Sequence, residues 1–374
     1  MMNNKENFTI QDFIIQLEQI NYLEILDAIK PLIIYYVTSK AIDTYKLYRD
    51  YKPKNISKVT LPPELISEYS EIDINKIVAT KYGESIVKFA DVVINNFSAE
   101  DLTNFYNNIN DLKTRSKKFG IQNLILRSKT AGQYDPKKNE ITIDDDTAET
   151  TIYHELFHMA SSTYKDGIRY SGFHQASLKP GVTSLGQGLN EGYTELLSQR
   201  YFMPDSSVTG AYEYQVFIAE KLEQIIGKEK MQSLYLNSNL KGLIDELKQY
   251  VSEEEIMKFI SNTDFLVNHM DNKKLQLFEK NMIGNCLKSI NRFVIFCYSK
   301  KLQQQVKDVE IFSNDEILQK LAEYISSLAS NIKIRKRRYE VMTDDDIQES
   351  LQASFENTNV TVSINREEQS GIKR

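Results

Sequence analysis

Apolar residues recur at helical spacing over most of the chain. In residues 11–50 they fall every three or four positions and are interrupted by Pro31, which predicts a kinked helical opening. The prolines within 52–63 indicate a linker. The same helical spacing then predicts helices over 74–96 and 98–118. Ser98 suits the start of the second helix and Gly120 its end.

The pattern changes after residue 120. Short β-branched or apolar stretches at 121–126 and 140–143 flank a turn-forming segment at 135–139, which predicts two strands of a small sheet. A helix is then expected over 147–164, opened by the capping-type pair Asp146 and Glu149.

The second half of the chain is predicted to be almost entirely helical. One helix is expected to begin near Asn190 and to end before Pro204. Further helices are expected at 212–226, 244–251, 253–260, 275–304 and 316–330. From residue 333 the chain is basic and then acidic and polar, which predicts a flexible tail.

Composition narrows the class of protein. Among 374 residues, 41% are apolar and 26% are charged, as in a globular protein, and a net charge of -6 makes nucleic acid an unexpected partner. The sequence shows no signal peptide or membrane-spanning run, so we expect a cytoplasmic protein. Cys286 and Cys297 lie eleven residues apart in a helical pattern, which predicts unpaired thiols in the core.

Candidate chemistry lies in the segment His154-Glu155-Leu156-Phe157-His158. Positions i and i+4 share one face of a helix, so both imidazoles can bind one metal ion. Glu155 lies about 100° around the helix, where it can take a proton from water without being a ligand. Two histidines with this spacing are most typical of a zinc site in a hydrolase.

A zinc site of this kind needs a third protein ligand. Asp166, His174 and Glu191 are the candidates downstream of the histidines. The metzincin arrangement is excluded, because Ser161 and Tyr164 occupy the positions where it requires glycine and histidine. Glu191 is favoured. Glu195 lies four residues later on the same helical face, where the two carboxylates would repel each other unless a cation or a metal-bound imidazole separated them.

The HExxH motif at 154–158 and the NExxxE motif at 190–195 together resemble the gluzincin metallopeptidases, the thermolysin-like group. The resemblance spans about residues 121–202. It implies that Glu191 is the third zinc ligand and that Glu195 holds His154 in place from outside the ligand set. It also implies that zinc and Glu155 together activate water for hydrolysis of a peptide or protein substrate.

The expected fold is α+β and predominantly α-helical, with a zincin-like core. The resemblance implies a small mixed sheet whose edge strand, at 139–143, precedes the HExxH helix and receives the substrate backbone. The segment 159–190 contains five of the glycines and is expected to be a loop that shapes the cleft. The expected regions are a helical region at 1–120, the catalytic core at 121–205, a helical region at 206–332 that completes the catalytic unit, and the tail at 333–374.

The sequence leaves two questions open. The donor to the oxyanion in peptide hydrolysis is one of four residues, of which His174 is preferred over Tyr170, Tyr193 and His269. The alternative to a zinc metalloendopeptidase is a non-catalytic helical interaction protein with a structural metal site. A third possibility is a zinc hydrolase that acts on a non-peptide amide.

Overall fold

The structure of the protein is a computed structural model that divides into two compact units, Met1–Pro53 and Lys54–Arg374. The described residues all lie in the second unit: 72, 77, 80, 82–116, 131–144, 148–177, 184–203, 212–269, 277–308, 320, 323–324, 327, 331–334 and 337–340. The predicted helical opening at 11–50, the linker at 52–63 and the strand at 121–126 lie outside them.

Helices dominate the described part of the chain. They are α1 (Gly83–Asn96), α2 (Thr103–Ile109), α3 (Ala148–Ala160), α4 (Gln187–Phe202), α5 (Glu213–Ile226), α6 (Lys228–Leu236), α7 (Leu240–Leu247), α8 (Glu253–His269) and α9 (Leu277–Asp308). The strands are β1 (Lys113–Ser116), β2 (Gly132–Asp135), β3 (Glu140–Ile143), β4 (Ser162–Lys165), β5 (Ile168–Ser171), β6 (His174–Ser177), β7 (Asn331–Ile334) and β8 (Arg337–Glu340). The predicted α+β class is confirmed.

Several predicted helix ends are confirmed where local chemistry sets them. Helix α5 ends at Gly227, whose φ of 98° suits glycine and stops the helix. The predicted start at Ser98 is wrong: its hydroxyl accepts a hydrogen bond of 3.2 Å from the backbone N–H of Asp101, but α2 begins only at Thr103. The long helix expected over 275–304 is α9, and the helix near 190–202 begins three residues earlier at Gln187.

Other helix predictions are wrong. The helix expected over 98–118 stops at Ile109, and the polar segment Lys113–Ser116 is a strand. The helix expected over 147–164 ends at Ala160. Helix α7 lies four residues before the predicted 244–251, and α8 continues nine residues beyond 260. Helix α6 was not predicted; its buried residues are two short clusters around Met231 and Leu234, which are hard to recognise as a helical face.

The first sheet has the order β1-β3-β2. Strands β1 and β3 are parallel and β2 and β3 are antiparallel, so the sheet is mixed, as expected. The prediction that 139–143 is the edge strand is wrong. β1 pairs with one side of β3, which makes β3 the central strand. Among the described strands, β2 is the edge that packs closest to α3.

The second sheet, from Ser162 to Ser177, occupies half of the segment that was predicted to be a loop at 159–190. Strands β4, β5 and β6 form an antiparallel meander. Asp166 and Gly167 both have positive φ, 55° and 79°, which is the conformation of a two-residue hairpin turn. The Asp-Gly pair is a recognised hairpin signal, and it accounts for the difference from the prediction.

The last described strands, β7 and β8, form a hairpin that includes Lys333 and Arg338. The strands at 333–334 and 337–340 were not predicted, and the flexibility of the tail expected from residue 333 stays a prediction. Residues beyond 340 lie outside the described part of the chain. Nothing described tests the region boundaries at 120, 205 and 332, which stay predictions.

Helix α4 is the centre of the helical core. It packs against α3, α5 and α8, and Tyr193, Thr194 and Leu197 on it are fully buried. Close approach of the neighbours requires glycine: a Cβ atom on Gly192 would collide with the backbone carbonyl of Gln215 on α5. This burial on several sides fixes the helix that carries Glu191.

Helix α9 carries both cysteines. Cys286 and Cys297 are buried and unpaired, as predicted from their spacing. No helix in the described part of the chain is both long enough and apolar enough to cross a membrane.

Candidate metal centre

Helix α3 brings His154 and His158 to the same face. The two residues between and beside them, Leu156 and Phe157, are fully buried in the core. The ring of Phe157 packs edge-on against that of Phe89, with the ring centroids 4.9 Å apart. This packing fixes the rotation of the helix about its axis. The two imidazoles therefore point together into a cleft, where both are buried.

Helix α4 brings Glu191 to the same cleft from its first turns. Its N-terminus is held by Asp264 on α8, which accepts hydrogen bonds from the backbone N–H groups of Gly186 at 2.8 Å and Gly188 at 2.7 Å. Asp264 thus satisfies two backbone donors that a helix start leaves without partners. The position of Glu191 depends on this tertiary cap.

Three side-chain atoms form a triangle in the cleft. His154 Nε2 lies 3.1 Å from His158 Nε2 and 3.3 Å from Glu191 Oε2, and His158 Nε2 lies 3.5 Å from Glu191 Oε2. In tetrahedral zinc with ligands at about 2.0–2.1 Å, neighbouring ligand atoms are about 3.3–3.4 Å apart. The dimensions of the triangle fit one such ion.

The other two ligand candidates lie outside this triangle. Asp166 is exposed in the turn between β4 and β5. His174 lines the cleft but is not one of the residues whose ligand atoms come together. Among the described residues, His154, His158 and Glu191 are therefore not joined by a fourth protein ligand.

Glu195 contacts His154 on the side away from the cleft. Its Oε2 lies 2.8 Å from His154 Nδ1, and Gln199 Nε2 donates to its Oε1 at 2.9 Å. A carboxylate at Nδ1 favours the proton on that nitrogen and leaves the Nε2 lone pair directed into the cleft. The contact is the one expected for Glu195 from the sequence.

His158 has a different set of neighbours at its Nδ1 atom. The hydroxyls of Ser171 and Thr194 lie 3.4 Å away and Asn190 Nδ2 lies 3.3 Å away. Thr194 Oγ1 also shares a 2.6 Å hydrogen bond with the hydroxyl of Tyr235. Either nearby hydroxyl can accept a hydrogen bond from Nδ1–H, which again leaves the Nε2 lone pair for a metal ion.

Opposite charges in the triangle stabilise one another. Burial lowers the pKa of His154, but hydrogen bonds to Glu191 and Glu195 outweigh it and raise the pKa to about 10. Burial raises the pKa of Glu191, but the charge of His158 and the bonds to both histidines hold it well below its ordinary value. The proton on His154 thus supplies positive charge where a cation would otherwise lie.

Glu155 lies beside the triangle, against the edge strand β2. Burial raises its pKa above the ordinary value, and the charge of Glu191 adds to this, although both histidines and a backbone hydrogen bond from Tyr134 oppose it. A Cβ atom on Gly132 would collide with the Glu155 side chain, so glycine is required for this packing. A carboxylate with a raised pKa is suited to carry a proton near neutral pH.

Of the four predicted oxyanion donors, His174 is the one that lines the cleft. It is buried, and its Nε2 has no hydrogen-bond partner in the described part of the chain. Burial and the charge of Arg169 lower its pKa to about 4, so the ring is neutral at physiological pH. Tyr193 is fully buried and donates to Glu223 at 2.6 Å instead, and His269 bonds to Phe265 in its own helix.

Three residues of the site were not predicted from the sequence. Tyr212 lines the cleft and its ring stacks on that of His154, with centroids 5.8 Å apart. Arg169 lines the cleft from β5, and Asp264 caps α4 from 78 residues away. No sequence spacing marks any of them, because each comes from an element that only the tertiary fold brings close.

Comparisons of the chain with protein-family models, with curated proteins and with solved structures find no match. A function for this protein is therefore inferred from its own residues and their geometry.

Proposed function

We propose that the protein is a zinc-dependent metallohydrolase that cleaves peptide bonds. The observation that carries the proposal is the triangle of His154 Nε2, His158 Nε2 and Glu191 Oε2, whose edges of 3.1, 3.3 and 3.5 Å suit one tetrahedral ion. Two imidazoles and one carboxylate are the ligand set typical of zinc in hydrolases. When bound, zinc would supply a Lewis acid that polarises a carbonyl and makes water nucleophilic near neutral pH.

The residues around the triangle support hydrolysis rather than a purely structural role. Three protein ligands leave a coordination position for water or substrate, and a fourth ligand such as His174 is absent from the group among the described residues. Glu155 takes a proton from the attacking water and returns it to the leaving nitrogen, a role that its raised pKa favours. His174, on β6 of the second sheet, donates a hydrogen bond to the developing oxyanion.

The edge strand β2 supports a peptide as substrate. Gln133 and Tyr134 line the cleft next to Glu155, and β2 pairs with β3 on one side. An extended peptide can add to the side of β2 that no described strand occupies, through backbone hydrogen bonds, which do not require one particular sequence. In this proposal β2 takes the role that the resemblance gave to 139–143.

The proposal includes a zincin-like core of the gluzincin type. Supporting features are an HExxH helix and an NExxxE helix that meet at the triangle, the contact of Glu195 with His154, and a mixed sheet with an edge beside the HExxH helix. A zinc hydrolase that acts on a non-peptide amide would need no groove along β2. Cleavage of a peptide therefore distinguishes the proposed peptidase from such a hydrolase.

The test is zinc content by elemental analysis, measured with cleavage of a peptide library on the same samples. Wild type is expected to hold about one zinc ion per chain and to cleave. Glu191→Ala should lose the metal, whereas Glu155→Gln should keep it and lose cleavage. Glu229→Ala, an exposed glutamate on α6, is the matched control and should retain both.

Each contrary outcome identifies the part that fails. Wild type without metal after zinc is supplied would overturn the metal site, and the protein would then fit a helical interaction protein. Wild type that holds zinc but cleaves no peptide would leave either a structural metal site or a hydrolase of a non-peptide amide. Cleavage that survives Glu155→Gln would overturn the assignment of the base.

A further inference from the structure

Arg169 faces the candidate active site from the second sheet. Alternation along β5 puts Arg169 and Ser171 on the same face, and Ser171 Oγ lies 3.4 Å from His158 Nδ1. Ser171 pairs with His174 and Arg169 with Ala176 in the neighbouring strand β6. Arg169 is thus the next residue on the face of β5 that carries Ser171, which contacts His158 of the triangle. It lines the same cleft.

The guanidinium of Arg169 has no carboxylate partner within the described part of the chain. Its Nε atom is buried there without a hydrogen-bond partner. Arg200, by contrast, makes two hydrogen bonds of 2.9 and 2.7 Å to Glu223, and Arg115 lies 3.1 Å from Glu140. A buried donor on a charged group is costly to leave without a partner, so a ligand is expected to supply one.

The chemistry of the cleft selects the kind of ligand. Arg169 is the one arginine or lysine among the described residues that line it, and Glu155 and Glu191 are its carboxylates. A guanidinium forms paired hydrogen bonds with a carboxylate and also binds phosphates. Two carboxylates nearby oppose a dianion more strongly than a monoanion, which favours a carboxylate over a phosphate.

We propose that Arg169 binds a carboxylate of the substrate and so selects peptides that place a carboxylate in the cleft. This inference rests on the proposed peptidase function. The carboxylate is either the C-terminus of a peptide or the side chain of an Asp or Glu next to the cleaved bond. Both present the same group to the guanidinium, and the experiment separates them.

The test uses four hexapeptides of otherwise equal sequence, with a free or amidated C-terminus and with Glu or Gln at a central position. Calorimetry gives their dissociation constants for the zinc-loaded Glu155→Gln protein, which binds without turnover, and for the same protein stripped of metal. Arg169→Gln and Arg169→Lys are made in this background. Arg115→Gln, at an exposed ion pair on β1, is the matched control.

A carboxylate-bearing peptide is expected to bind about tenfold or more tightly than its neutral counterpart, as for charge-assisted hydrogen bonds. Preference for the free C-terminus identifies the main-chain carboxylate, and preference for Glu over Gln identifies the side chain. Arg169→Gln should abolish the preference at unchanged zinc content, Arg169→Lys should reduce it, and Arg115→Gln should retain it.

The inference is overturned if the protein with Arg169 intact prefers neither the free C-terminus nor the central Glu. It is also overturned if the Arg169→Gln protein keeps the preference that the intact protein shows. These outcomes differ from failure of the peptidase proposal. If wild type and Arg169→Gln, both with Glu155 intact, cleave the peptides equally well, hydrolysis stands and carboxylate selection is overturned. A preference that depends on Arg169 in a protein that cleaves no peptide would keep carboxylate binding and remove hydrolysis. Peptides that neither bind nor are cleaved would overturn both.

Discussion

The carboxylate of Asp264 accepts a hydrogen bond of 2.7 Å from the backbone N–H of Gly188. Through this bond and the one from Gly186, helix α8 caps the helix that carries Glu191. The cap is unusual in coming from a distant element, since a helix start is more often capped by the residue that precedes it. Gly186 precedes α4 and has no side chain to do so.

Asp264→Asn should change both the stability of the protein and its dependence on pH. Burial raises the pKa of Asp264 from 3.8 to about 7, although the two N–H groups lower it. A group whose pKa is raised in the folded state binds more protons there than in the unfolded chain, so its contribution to stability falls as pH rises from about 4 to 7. Asparagine does not titrate, so the difference in stability between wild type and variant should vary over this range.

The measurement is urea unfolding of both proteins at several pH values. Loss of one cap acceptor should cost about 0.5–2 kcal/mol at the low-pH end, and the stability of wild type relative to the variant should fall steadily towards pH 7. Asp245→Asn, at an exposed surface pair with lysines, is the control and should show no such trend. A constant difference between pH 4 and 7 would mean that Asp264 is not the titrating group.

Gly192→Ala should destabilise the junction of α4 with α5. A Cβ atom would meet the backbone carbonyl of Gln215, which cannot move aside as a flexible side chain could. Overpacking of this kind costs about 1–3 kcal/mol. Gly284→Ala in α9 is the matched control, because no other described part of the chain lies within 4 Å of its added Cβ and alanine favours helix by up to about 1 kcal/mol.

Urea unfolding of both glycine variants tests this contrast. The expected result is a lower midpoint for Gly192→Ala and an equal or higher midpoint for Gly284→Ala. Equal effects of the two substitutions would contradict the close approach of α4 and α5.

The sequence predicts the site better than the sheets around it. The histidines of α3 are four residues apart on one helix, so local spacing alone brings them together. Glu191 could be chosen because it also lies in a helical pattern with Glu195. Strand β1, in contrast, has the sequence KTRS, which carries no β-branched or apolar alternation beyond one threonine. Its pairing with β3 depends on tertiary contacts, so neither the sequence pattern nor the resemblance predicts that β3 is the central strand.

The second sheet was missed for a different reason. Glycines at 167 and 172 suggested a loop, but both occupy tight turns with positive φ in a meander. Arg169 and Tyr212 reach the cleft only after that meander and the start of α5 are in place. Residues whose roles depend on tertiary neighbours are therefore the ones that sequence spacing did not find.

Glu195→Gln should weaken zinc binding without removing a ligand. Glu195 Oε2 lies 2.8 Å from His154 Nδ1 and orients the ring. Loss of such a partner outside the ligand set commonly lowers metal affinity about 10–100-fold. Gln199→Ala removes only the bond to Glu195 Oε1 and is the control with a smaller expected effect. Competition with a zinc chelator measures both, and an unchanged zinc affinity in Glu195→Gln would contradict the orienting role.

Zinc binding should release protons. In the metal-free protein the pKa of His154 is raised to about 10, so this imidazole is protonated at pH 7 and must lose its proton to become a ligand. Zinc affinity should therefore rise as pH rises towards 10, by about tenfold per pH unit for each proton displaced. Calorimetry in two buffers of different ionisation enthalpy measures the release directly. Identical binding enthalpies in both buffers would show that no proton leaves.

His174→Phe should lower kcat far more than it changes KM. The ring lines the cleft with an Nε2 atom that has no hydrogen-bond partner in the described part of the chain, so it is available to a developing oxyanion. Removal of one such donor costs about 10²–10³ in kcat. Because burial and Arg169 lower the pKa of His174 to about 4, its neutral form persists above pH 5 and should cause no fall in kcat near pH 6.5. Steady-state kinetics with a cleaved peptide, at matched zinc content, tests this.

The control is His269→Phe, because His269 bonds to Phe265 in its own helix and does not line the cleft. Its kcat should stay within about twofold of wild type, as for substitutions away from the chemistry. If His174→Phe behaves like His269→Phe, the oxyanion is stabilised by another group, and Tyr212, which lines the same cleft, is the next residue to substitute.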